Sequence, residues 1–576
     1  MDLARKDNRD FYSTSMKHFN RLFTQKRIFG IFLLVMLVPN IFLCFTEHLP
    51  WLFKIAYILI PGALYLLLLN LSRKPGITFW ALFPLHFIGA FQLVLLYLFG
   101  NSIIASDMFL NMFTTNSGEA IELLDKLAPA VVGVFLLYLP ALALAVYSIR
   151  RPDSLSPLFQ KRAFMMAMIL LGSGLLVYTP AHRQAPHRAR LDNLYPINVF
   201  NNARFAISSW KAAKNYTRTS RDFDYRATSS RDSKEPEVYI LVIGETARAG
   251  NWGLYGYERN TTPRLSARPE VIHFDDVLTQ INATHKSVPL MLCPADALDF
   301  NQIYQQKSLI TAFKQAGFRT AFISNQLRNG SFTDFFADEA DCTLYLMAPK
   351  NKPHLHDDAM LPIVDSLLNK GATKQLIVLH TYGSHFNYCE RYSDKYRTFT
   401  PDRISEIKRK DRQAMINAYD NSIVATDRLL DQIIDRLSRT GKTAAMLYLS
   451  DHGEDLLDDD RDRFLHASPV PTYYQLHVPF ILWFSPQYEK QFPLEVQQAR
   501  QQHTTPFDSR VVFHTLLAIG GIETDYRNDS LSLVSPSFHL EKRYYLGERN
   551  TPIPVHYIPF ADEDRLAFKR HGIEPK

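Results

Sequence analysis

Five long apolar runs lie within the first 180 residues, and they constrain the fold more than any other feature of this sequence. The runs are Ile28–Phe45, Leu52–Leu71, Ile77–Phe99, Leu127–Ile149 and Ala163–Tyr178. Most of them approach or exceed the ~20 residues that an α-helix needs to cross a ~30 Å hydrocarbon layer. One such run could be a buried helix of a soluble protein, but the remaining chain could not cover all five. We therefore predict a transmembrane domain of five helices over residues 1–180.

The Lys and Arg residues around these runs are distributed unequally, and this predicts the orientation of the chain. The N-terminal segment and the loops after the second and fourth runs contain Lys17, Arg21, Lys26, Arg27, Arg73, Lys74, Arg150, Arg151, Lys161 and Arg162. The alternate loops at 46–50 and 101–126 contain only Lys126. Because cytoplasmic loops carry the excess of Lys and Arg, the N-terminus is predicted to be cytoplasmic, and five spans place the chain after residue 180 outside.

Two segments beside the apolar runs have patterns typical of the membrane surface. Asn111, Thr115 and Glu119 follow at i, i+4 and i+8, so a helix would present them on one face at the outer surface. Residues 194–210 mix aromatic, basic and amide side chains, as a helix lying on the bilayer does. We interpret residues 181–236 as this interfacial helix followed by a charged linker. The net charge of +7 suits anionic lipid head groups, and a location outside the cytoplasm argues against nucleic acid.

Residues 237–576 alternate apolar runs with helical patterns. The strand candidates are 238–243, 318–324, 375–381, 444–450 and 478–485, and the helix candidates include 307–316, 358–370, 412–438 and 509–518. This alternation is typical of a largely parallel sheet with helices on both faces. We therefore predict an external α/β/α domain.

Polar side chains follow four of these strands where each strand ends. They are Glu245, Asn325, His380 with His385, and Asp451 with His452. Because the carboxyl ends of parallel strands meet at one edge of a sheet, we expect these side chains to share a site. Two carboxylates and an imidazole are ligands that Zn²⁺ takes, so Glu245, Asp451 and His452 are predicted to bind zinc. Asp458 and Asp459, in the charged run that follows, are predicted to be solvated.

The segment Gln280–Pro289 turns from polar to apolar and is predicted to begin a helix. Unpaired N–H groups at a helix N-terminus stabilise an alkoxide or a phosphoryl group, and coordination to a metal would activate a hydroxyl further. Thr284, His285 and Ser287 therefore compete with Thr246 for the role of nucleophile. Helix capping is what such hydroxyls usually do, and the pattern alone does not choose among them.

Four motifs in series are Gly244-Glu-Thr-Ala-Arg-Ala249, Tyr255-Gly-Tyr-Glu-Arg-Asn-Thr-Thr-Pro263, Thr284-His-Lys-Ser-Val-Pro289 and Ser450-Asp-His-Gly-Glu454. Together they resemble the lipid A phosphoethanolamine transferases, which include the mobile colistin-resistance type and belong to the alkaline phosphatase and sulfatase superfamily. The resemblance covers essentially the whole chain. It implies an alkaline-phosphatase-like external domain in the periplasm and a multi-pass location in the bacterial inner membrane.

The resemblance also implies roles for single residues. One zinc ion would be held by Glu245, Thr284, Asp451 and His452, with Thr284 as the nucleophile. His385 and His466 are implied as contacts to phosphate or to a second zinc ion, and Asn325, from its place after a strand, is predicted to bind substrate. Asn111, Thr115 and Glu119 match the lipid-facing loop of the family in identity and spacing.

The implied activity is transfer of phosphoethanolamine from phosphatidylethanolamine to a lipopolysaccharide acceptor, with lipid A favoured. The transfer would pass through a covalent phosphoethanolamine–threonine intermediate. One alternative is a phosphoglycerol transferase of the lipoteichoic-acid synthase type, and another is transfer to a core sugar or another glycan. A sulfatase is not favoured, because the Cys/Ser-x-Pro-x-Arg signature is absent from the sequence.

Among four hydroxyls we predict Thr284 as the nucleophile, because it stands at the family's distance from Ser-Val-Pro. Thr246 follows a metal ligand in the chain, so its side chain is expected to point away from that site. Ser287 is expected to cap the helix that begins there. Ser324 is the fourth candidate.

Two features depart from the family pattern. The cysteines that flank the nucleophile in the family are replaced by Ile281-Asn-Ala283 and Leu290. At most one disulfide is therefore expected among the three cysteines outside the membrane, and we predict Cys293–Cys342. The family's lysine in the phosphoethanolamine pocket is not clearly matched, and Arg328 is predicted to take its place.

Overall fold

The structure, a computed structural model, describes residues 23–47, 49–99, 103–109, 127–184, 190–231, 234–347, 355–404 and 407–575. Its internal contacts divide the chain into two compact units, residues 1–105 with 123–204 and residues 106–122 with 205–576. The predicted domain boundaries at residues 180 and 236 stay predictions. Asn111, Thr115 and Glu119 lie outside the described residues, so their place at the lipid surface also stays a prediction.

Apolar helices make up most of the first unit. In chain order, α1 to α6 are Gln25–Thr46, Trp51–Leu69, Pro75–Ala81, Phe83–Phe99, Ala128–Arg150 and Pro157–Gln184. Among the described residues, α1, α2, α5 and α6 are each long and apolar enough to cross a membrane, and α3 with α4 forms a fifth candidate bent by 64°. Pro84 lies at the start of α4 and has no N–H to continue the helical hydrogen bonds, which accounts for the bend. The five apolar runs are thus confirmed as helices, and the third is broken.

The predicted interfacial segment is also helical, since α7 spans Ile197–Lys214. Phe200, Ile207 and Trp210 are exposed on this helix, and the ammonium group of Lys214 lies 3.8 Å from the centre of the Trp210 ring. Exposed apolar and basic side chains on one helix suit a position on an anionic bilayer. That position stays a prediction.

A sheet of seven strands, counted over the described residues, forms the centre of the second unit. In chain order the strands are β1 Glu237–Gly244, β2 Ile272–His273, β3 Arg319–Ser324, β4 Cys342–Tyr345, β5 Lys374–His380, β6 Thr443–Ser450 and β7 Phe480–Phe484. Their spatial order is β2-β7-β6-β1-β5-β3-β4, and the strands from β6 to β4 are parallel. β7 pairs antiparallel with both β6 and β2. The largely parallel sheet predicted from the sequence is therefore confirmed.

Helices connect and cover these strands. In chain order, α8 to α13 are Thr284–Leu292, Leu309–Gln315, Phe332–Ala337, Leu361–Leu368, Arg412–Arg439 and Val511–Ile519. Shorter or peripheral helices lie at Tyr216–Thr219, Pro263–Ser266, Tyr473–Leu476, Pro486–Gln491, Pro493–Gln501 and Asp562–Arg570. The four helices predicted from the sequence correspond to α9, α11, α12 and α13. The helix predicted to begin within the segment after Gln280 is α8.

The carboxyl ends of β1, β5 and β6 lie together at one edge of the sheet. Ile243 pairs with His380, and Gly244 pairs with Ser450. All three strands are buried along their whole length, which explains their continuous apolar sequences. The residues that follow β1 and β6 are therefore neighbours in space although about 200 residues separate them in the chain.

Candidate metal centre and nucleophile

Glu245, Asp451 and His452 form a buried cluster directly after β1 and β6. One ligand atom from each of the three residues lies within 4.8 Å of the other two. His452 Nε2 is 3.3 Å from Asp451 Oδ2 and 3.7 Å from Glu245 Oε1. The structure thus brings together the three side chains that the sequence analysis assigns to a metal.

Thr284, the first residue of α8, presents its hydroxyl to the same cluster. Its Oγ1 lies 3.0 Å from His452 Nε2 and 3.3 Å from each carboxylate oxygen of Glu245. Ser287, one turn further along α8, donates a hydrogen bond of 2.6 Å to the backbone oxygen of Asp451. The N-terminus of a helix carries a partial positive charge, which stabilises an ionised hydroxyl or a phosphoryl group placed there.

The donor groups fit Zn²⁺ in type and in spacing. Zinc binds oxygen and nitrogen ligands at about 2.0–2.2 Å, which places the ligand atoms of a tetrahedral site about 3.3 Å apart. The separations measured among the four side chains run from 3.0 to 3.7 Å. Asp451 Oδ1 accepts the N–H groups of Thr246 and His452, whereas Oδ2 is buried and accepts no hydrogen bond from a described residue. A buried carboxylate oxygen without a donor is stabilised by a cation.

His452 is held in the protonation state that a metal requires. Its Nδ1 donates a hydrogen bond of 2.9 Å to Gly453 O, which leaves the lone pair of Nε2 directed at the cluster. Burial, and after it the neighbouring His466, lowers the pKa of His452 to about 3, so the ring is neutral at pH 7. Burial and the charge of Glu245 raise the pKa of Asp451. A cation between these two carboxylates would relieve their repulsion.

Two further histidines lie beside the cluster. The ring of His466 lies 4.1 Å from that of His452, and its Nδ1 donates to Glu454 Oε1 at 3.2 Å. Glu454 is held in turn by the hydroxyl of Tyr388 at 2.7 Å. The ring of His385 lies 6.3 Å from that of His466. Both histidines are therefore close to the cluster, and their contact to substrate phosphate stays a prediction.

Gln326 is a functional contact that the sequence analysis missed. Its Nε2 donates hydrogen bonds of 2.9 Å to Glu245 Oε2 and to Thr381 O, which orients the carboxylate of Glu245. The only sequence signal was its position two residues after the end of β3, beside Asn325. The amide group of Asn325 donates to Asp357 Oδ1 at 2.8 Å, and the predicted contact between Asn325 and substrate stays a prediction.

Two expectations about the neighbouring hydroxyls are wrong. Thr246 has a left-handed backbone with φ 61°, and its hydroxyl lies 2.6 Å from Glu245 Oε1 instead of pointing away. The alternation of extended chain does not apply across such a turn. Ser287 does not cap α8, because the helix begins three residues earlier and Ser287 lies inside it. Ser324, the fourth candidate, lies 3.4 Å from His380 Nδ1, and burial lowers the pKa of His380 to about 4.

The prediction that Asp458 and Asp459 are solvated is also wrong. The Asp458 side chain is 6% exposed and forms an ion pair of 2.8 Å with Arg248. Asp459 accepts a hydrogen bond of 2.8 Å from Arg461. Arg248 comes from the segment after β1, and Arg461 lies two residues after Asp459 in the same run. Arg328, by contrast, forms an exposed ion pair with Asp338, and its predicted role as a replacement for the family's lysine stays a prediction.

The four cysteines, all within the described ranges, are free thiols. The predicted Cys293–Cys342 disulfide is therefore wrong. Cys293 is buried at the end of α8, whereas Cys342 begins the edge strand β4 and is only partly buried.

Two family models match different parts of the chain. A model described as phosphoethanolamine transferase EptA/EptB matches residues 63–198, and one described as sulfatase matches residues 237–522. The Kdo(2)-lipid A phosphoethanolamine 7''-transferase of Salmonella typhimurium is 31% identical over 307 residues, which are 50% of this chain and 53% of that protein. The chain spans about half the length of the curated relatives that it matches at this identity.

Two solved structures are similar in fold. The C-terminal periplasmic domain of EptC from Escherichia coli, solved in complex with Zn, has a TM-score of 0.53 at 26% identity and covers 59% of this chain and 97% of that one. The integral membrane protein EptA from Neisseria meningitidis has a TM-score of 0.67 at 21% identity and covers 88% of this chain and 98% of that one. The matches include both the apolar helices and the sheet domain that carries Thr284 and the metal cluster. Together these similarities support a phosphoethanolamine transferase within the alkaline phosphatase and sulfatase superfamily.

Proposed function

We propose that this protein transfers phosphoethanolamine from phosphatidylethanolamine to lipid A, at a zinc site in the periplasm. The observation that carries the proposal is the Thr284 hydroxyl, which lies at the N-terminus of α8 and within 3.0–3.3 Å of His452 and Glu245. The acceptor is supported by the printed name of the Salmonella relative, which specifies Kdo(2)-lipid A. The metal is supported by the donor set, and by the zinc complex solved for the EptC domain.

In the first step, Thr284 Oγ1 bonds to the phosphorus of the donor while the bond from phosphorus to the diacylglycerol oxygen breaks. Diacylglycerol leaves with the proton that the hydroxyl loses, and phosphoethanolamine remains on Thr284. Glu245, Asp451, His452 and Thr284 would hold Zn²⁺, which when bound lowers the pKa of the hydroxyl and offsets the charge of the phosphoryl oxygens. His385 and His466, which lie beside the cluster, would bind those oxygens.

In the second step, an oxygen of the acceptor attacks the same phosphorus, and the bond to Thr284 Oγ1 breaks. The Thr284 oxygen takes up the proton that the attacking oxygen loses, so the enzyme returns to its starting state. The attacking group is a phosphate or a hydroxyl of lipid A. A threonine rather than water as the first nucleophile conserves the activated phosphoethanolamine until the acceptor is bound.

The covalent intermediate is the first test. With donor and without acceptor, the peptide spanning Ile281–Pro289 should gain the mass of one phosphoethanolamine, and Thr284→Ala should abolish that gain. Thr284→Ser keeps a hydroxyl at the same place and should retain part of the adduct. An adduct on Thr246 or Ser287 in the wild-type protein would move the nucleophile. A wild-type protein without any adduct would contradict the two-step reaction.

The metal is tested separately. Asp451→Ala should lose bound zinc, measured by elemental analysis, together with adduct formation, because Asp451 Oδ2 is buried and accepts no hydrogen bond from the described part of the chain. Asp460→Ala removes a nearby acid that is 98% exposed and should leave both quantities unchanged. Stoichiometric zinc and full turnover in Asp451→Ala would contradict the assignment.

Mass spectrometry of the envelope lipids tests donor group and acceptor together. Lipid A from cells that express the protein should gain phosphoethanolamine, and cells with Thr284→Ala should lack this increment. A phosphoglycerol increment would favour the lipoteichoic-acid synthase type of reaction. Phosphoethanolamine on fragments of the core sugars or of another glycan would keep the chemistry and change the acceptor.

A further inference from the structure

A second group of charged side chains lies next to Thr284, at the first turn of α8, and the reaction proposed above does not use it. It consists of Asp107, His285 and Lys286, and it is called the charge cluster below. Asp107 Oδ1 lies 2.6 Å from Lys286 Nζ and 3.7 Å from His285 Nε2. Asp107 belongs by its contacts to the same compact unit as α8, although in sequence it lies between two apolar helices.

The position of Lys286 is unfavourable without a partner. Its side chain is 4% exposed, and it lies in the first turn of α8, where the helix dipole repels a cation. The first turn of α8 contains no acidic residue of its own. Asp107, from a distant part of the chain, therefore supplies a negative charge. This charge stabilises both the N-terminus of α8 and the buried ammonium group of Lys286. Removing one partner of such a pair leaves an uncompensated buried charge.

The residue before Asp107 is also hydrogen-bonded within the second unit. The backbone N–H of Ser106 donates a hydrogen bond of 2.5 Å to Glu548 Oε1. Burial raises the pKa of Asp107, but the charges of Lys286 and His285 lower it by more, so Asp107 is ionised at neutral pH. The negative charge is thus present under the conditions in which the enzyme works.

The first turn of α8 is consequently held on two sides. On one side Ser287 donates to the backbone oxygen of Asp451, a metal ligand. On the other side Lys286 pairs with Asp107. Thr284 is the residue that begins this turn, and a shift of about 1 Å in a reacting group can cost 100-fold in rate.

We propose that Asp107 is a positioning residue, which through Lys286 fixes the first turn of α8 and so sets the place of Thr284 at the metal cluster. The inference rests on Thr284 being the nucleophile, as proposed above. Among the described residues, the ion pairs of Asp107 are with Lys286 and His285 and not with Glu245, Asp451 or His452. Its replacement should therefore change the rate of the chemical step more than the binding of zinc or of the donor.

The test compares two buried Lys–acid pairs of the full-length protein. Asp107→Asn breaks the first pair. Glu237→Gln breaks the second, in which Lys374 is also 4% exposed and lies 3.1 Å from Glu237. Glu237 begins β1, about 26 Å along the strand from Glu245 at ~3.3 Å per residue, so its pair cannot act directly on Thr284.

Three quantities are measured for each variant with phosphatidylethanolamine vesicles as the donor. The rate of adduct formation per bound zinc should fall about 10- to 100-fold in Asp107→Asn, with the donor KM within about twofold of the wild type. Glu237→Gln should lower the thermal midpoint but leave that rate unchanged. Hydrogen exchange in the peptide spanning Ile281–Leu292 should accelerate in Asp107→Asn and not in Glu237→Gln.

The outcomes separate this inference from the proposed function. An unchanged adduct rate in Asp107→Asn overturns the inference, and so does a loss of rate that only parallels a loss of zinc or of folded protein. Lys286→Met added to Asp107→Asn should cause no further loss, because the two side chains act as one unit; an additive loss would contradict this. If the wild type forms no adduct on Thr284, the proposed function fails, and the exchange data still decide whether Asp107 holds α8.

Discussion

Replacement of Asp458 by Ala is expected to destabilise the second unit. Asp458 and Arg248 are a buried ion pair of 2.8 Å, and the loss of one partner of such a pair costs about 3–5 kcal/mol in the free energy of unfolding. Arg248 also donates to the backbone oxygen of Glu454, so the loss reaches the segment that follows the metal ligands. The measurement is the thermal midpoint of the purified protein.

Asp460→Ala is the matched control for Asp458→Ala, since it removes an acid of the same run that is 98% exposed. Its thermal midpoint should stay close to that of the wild type, because exposed ion pairs contribute about 0–1 kcal/mol. Equal midpoints for the two variants would mean that the Arg248 pair does not contribute to stability.

The clustering of Glu245, Asp451 and His452 could be predicted from the sequence, and the contacts that support this cluster could not. Glu245 and Asp451 each follow a continuous apolar strand, and that position alone assigns them to one edge of a parallel sheet. Gln326 and Thr246 reach the same carboxylate through turns, and Thr246 adopts a positive φ that no local pattern announces. The partner of Asp107 lies about 180 residues away in the chain, so no spacing rule could identify it.

The loop after β5 depends on close contact with the chain after β1. Gly383 has φ 50°, and a Cβ there would lie 2.6 Å from Glu245 O and 2.9 Å from Glu245 N. Ser384 N donates to the same Glu245 oxygen at 2.9 Å. Gly383→Ala should therefore displace Glu245, and we expect weaker zinc binding, measured by competition with a chelator, together with a lower thermal midpoint.

Gly371→Ala separates the effect of backbone strain from the effect of the close contact with Glu245. Gly371 also has a positive φ, 73°, but a Cβ there would meet no atom within 4 Å. This variant should lose about 1–2 kcal/mol of stability from backbone strain alone and keep the zinc affinity of the wild type. If Gly383→Ala also kept that affinity, the contact with Glu245 would not support the metal site.

A pH effect is expected where α12 meets the short helix Pro263–Ser266. Asp427 on α12 accepts the N–H groups of Arg264 and Leu265, yet burial raises the pKa of Asp427 to about 7. In the unfolded chain this carboxyl titrates near 3.9. Between these values the folded state binds a proton that the unfolded state does not. The contribution to stability is therefore complete below about pH 3.9 and is lost as the pH rises through about 7.

Asp427→Asn tests whether stability falls as the pH rises, because the amide has no charge at any pH. The thermal midpoint of the wild type should fall between pH 6 and pH 8 by more than that of the variant, and each unit of pKa shift corresponds to about 1.4 kcal/mol. Burial also raises the pKa of Asp455 to about 7, but Asp455 is present in both proteins and cancels in the difference. Identical pH dependence in the two proteins would contradict the prediction.

Elements with a strong period could be predicted, and short or edge elements could not. The five longer strands and the helices α9, α11, α12 and α13 appear where apolar runs or helical periods predict them. β2 has two residues and β4 has four, too few for a pattern to show. The antiparallel direction of β7 could not be predicted either. All of its residues are buried, and such a sequence fits a parallel or an antiparallel strand equally well.

At the scale of the whole molecule, the side of the membrane that holds the second unit depends on how α3 and α4 are placed. They form one span bent by 64°, or they enter and leave the membrane on the same side. With one bent span the chain crosses five times, and the second unit lies opposite the N-terminus. Without that span the chain crosses four times, and Arg150, Arg151, Lys161 and Arg162 lie outside, against the usual distribution of positive charge.

Two fusions to a reporter that is active only in the cytoplasm distinguish these arrangements. A fusion after residue 153 lies in the loop between α5 and α6, and a fusion after residue 231 follows α7. Five crossings predict an active reporter at 153 and a silent one at 231 and at the C-terminus. Four crossings predict the reverse at each position, so a general failure of expression cannot imitate either pattern. We expect the first pattern, because it leaves four basic side chains in the cytoplasm. The reverse pattern would contradict the proposed periplasmic site, whatever the chemistry of Thr284.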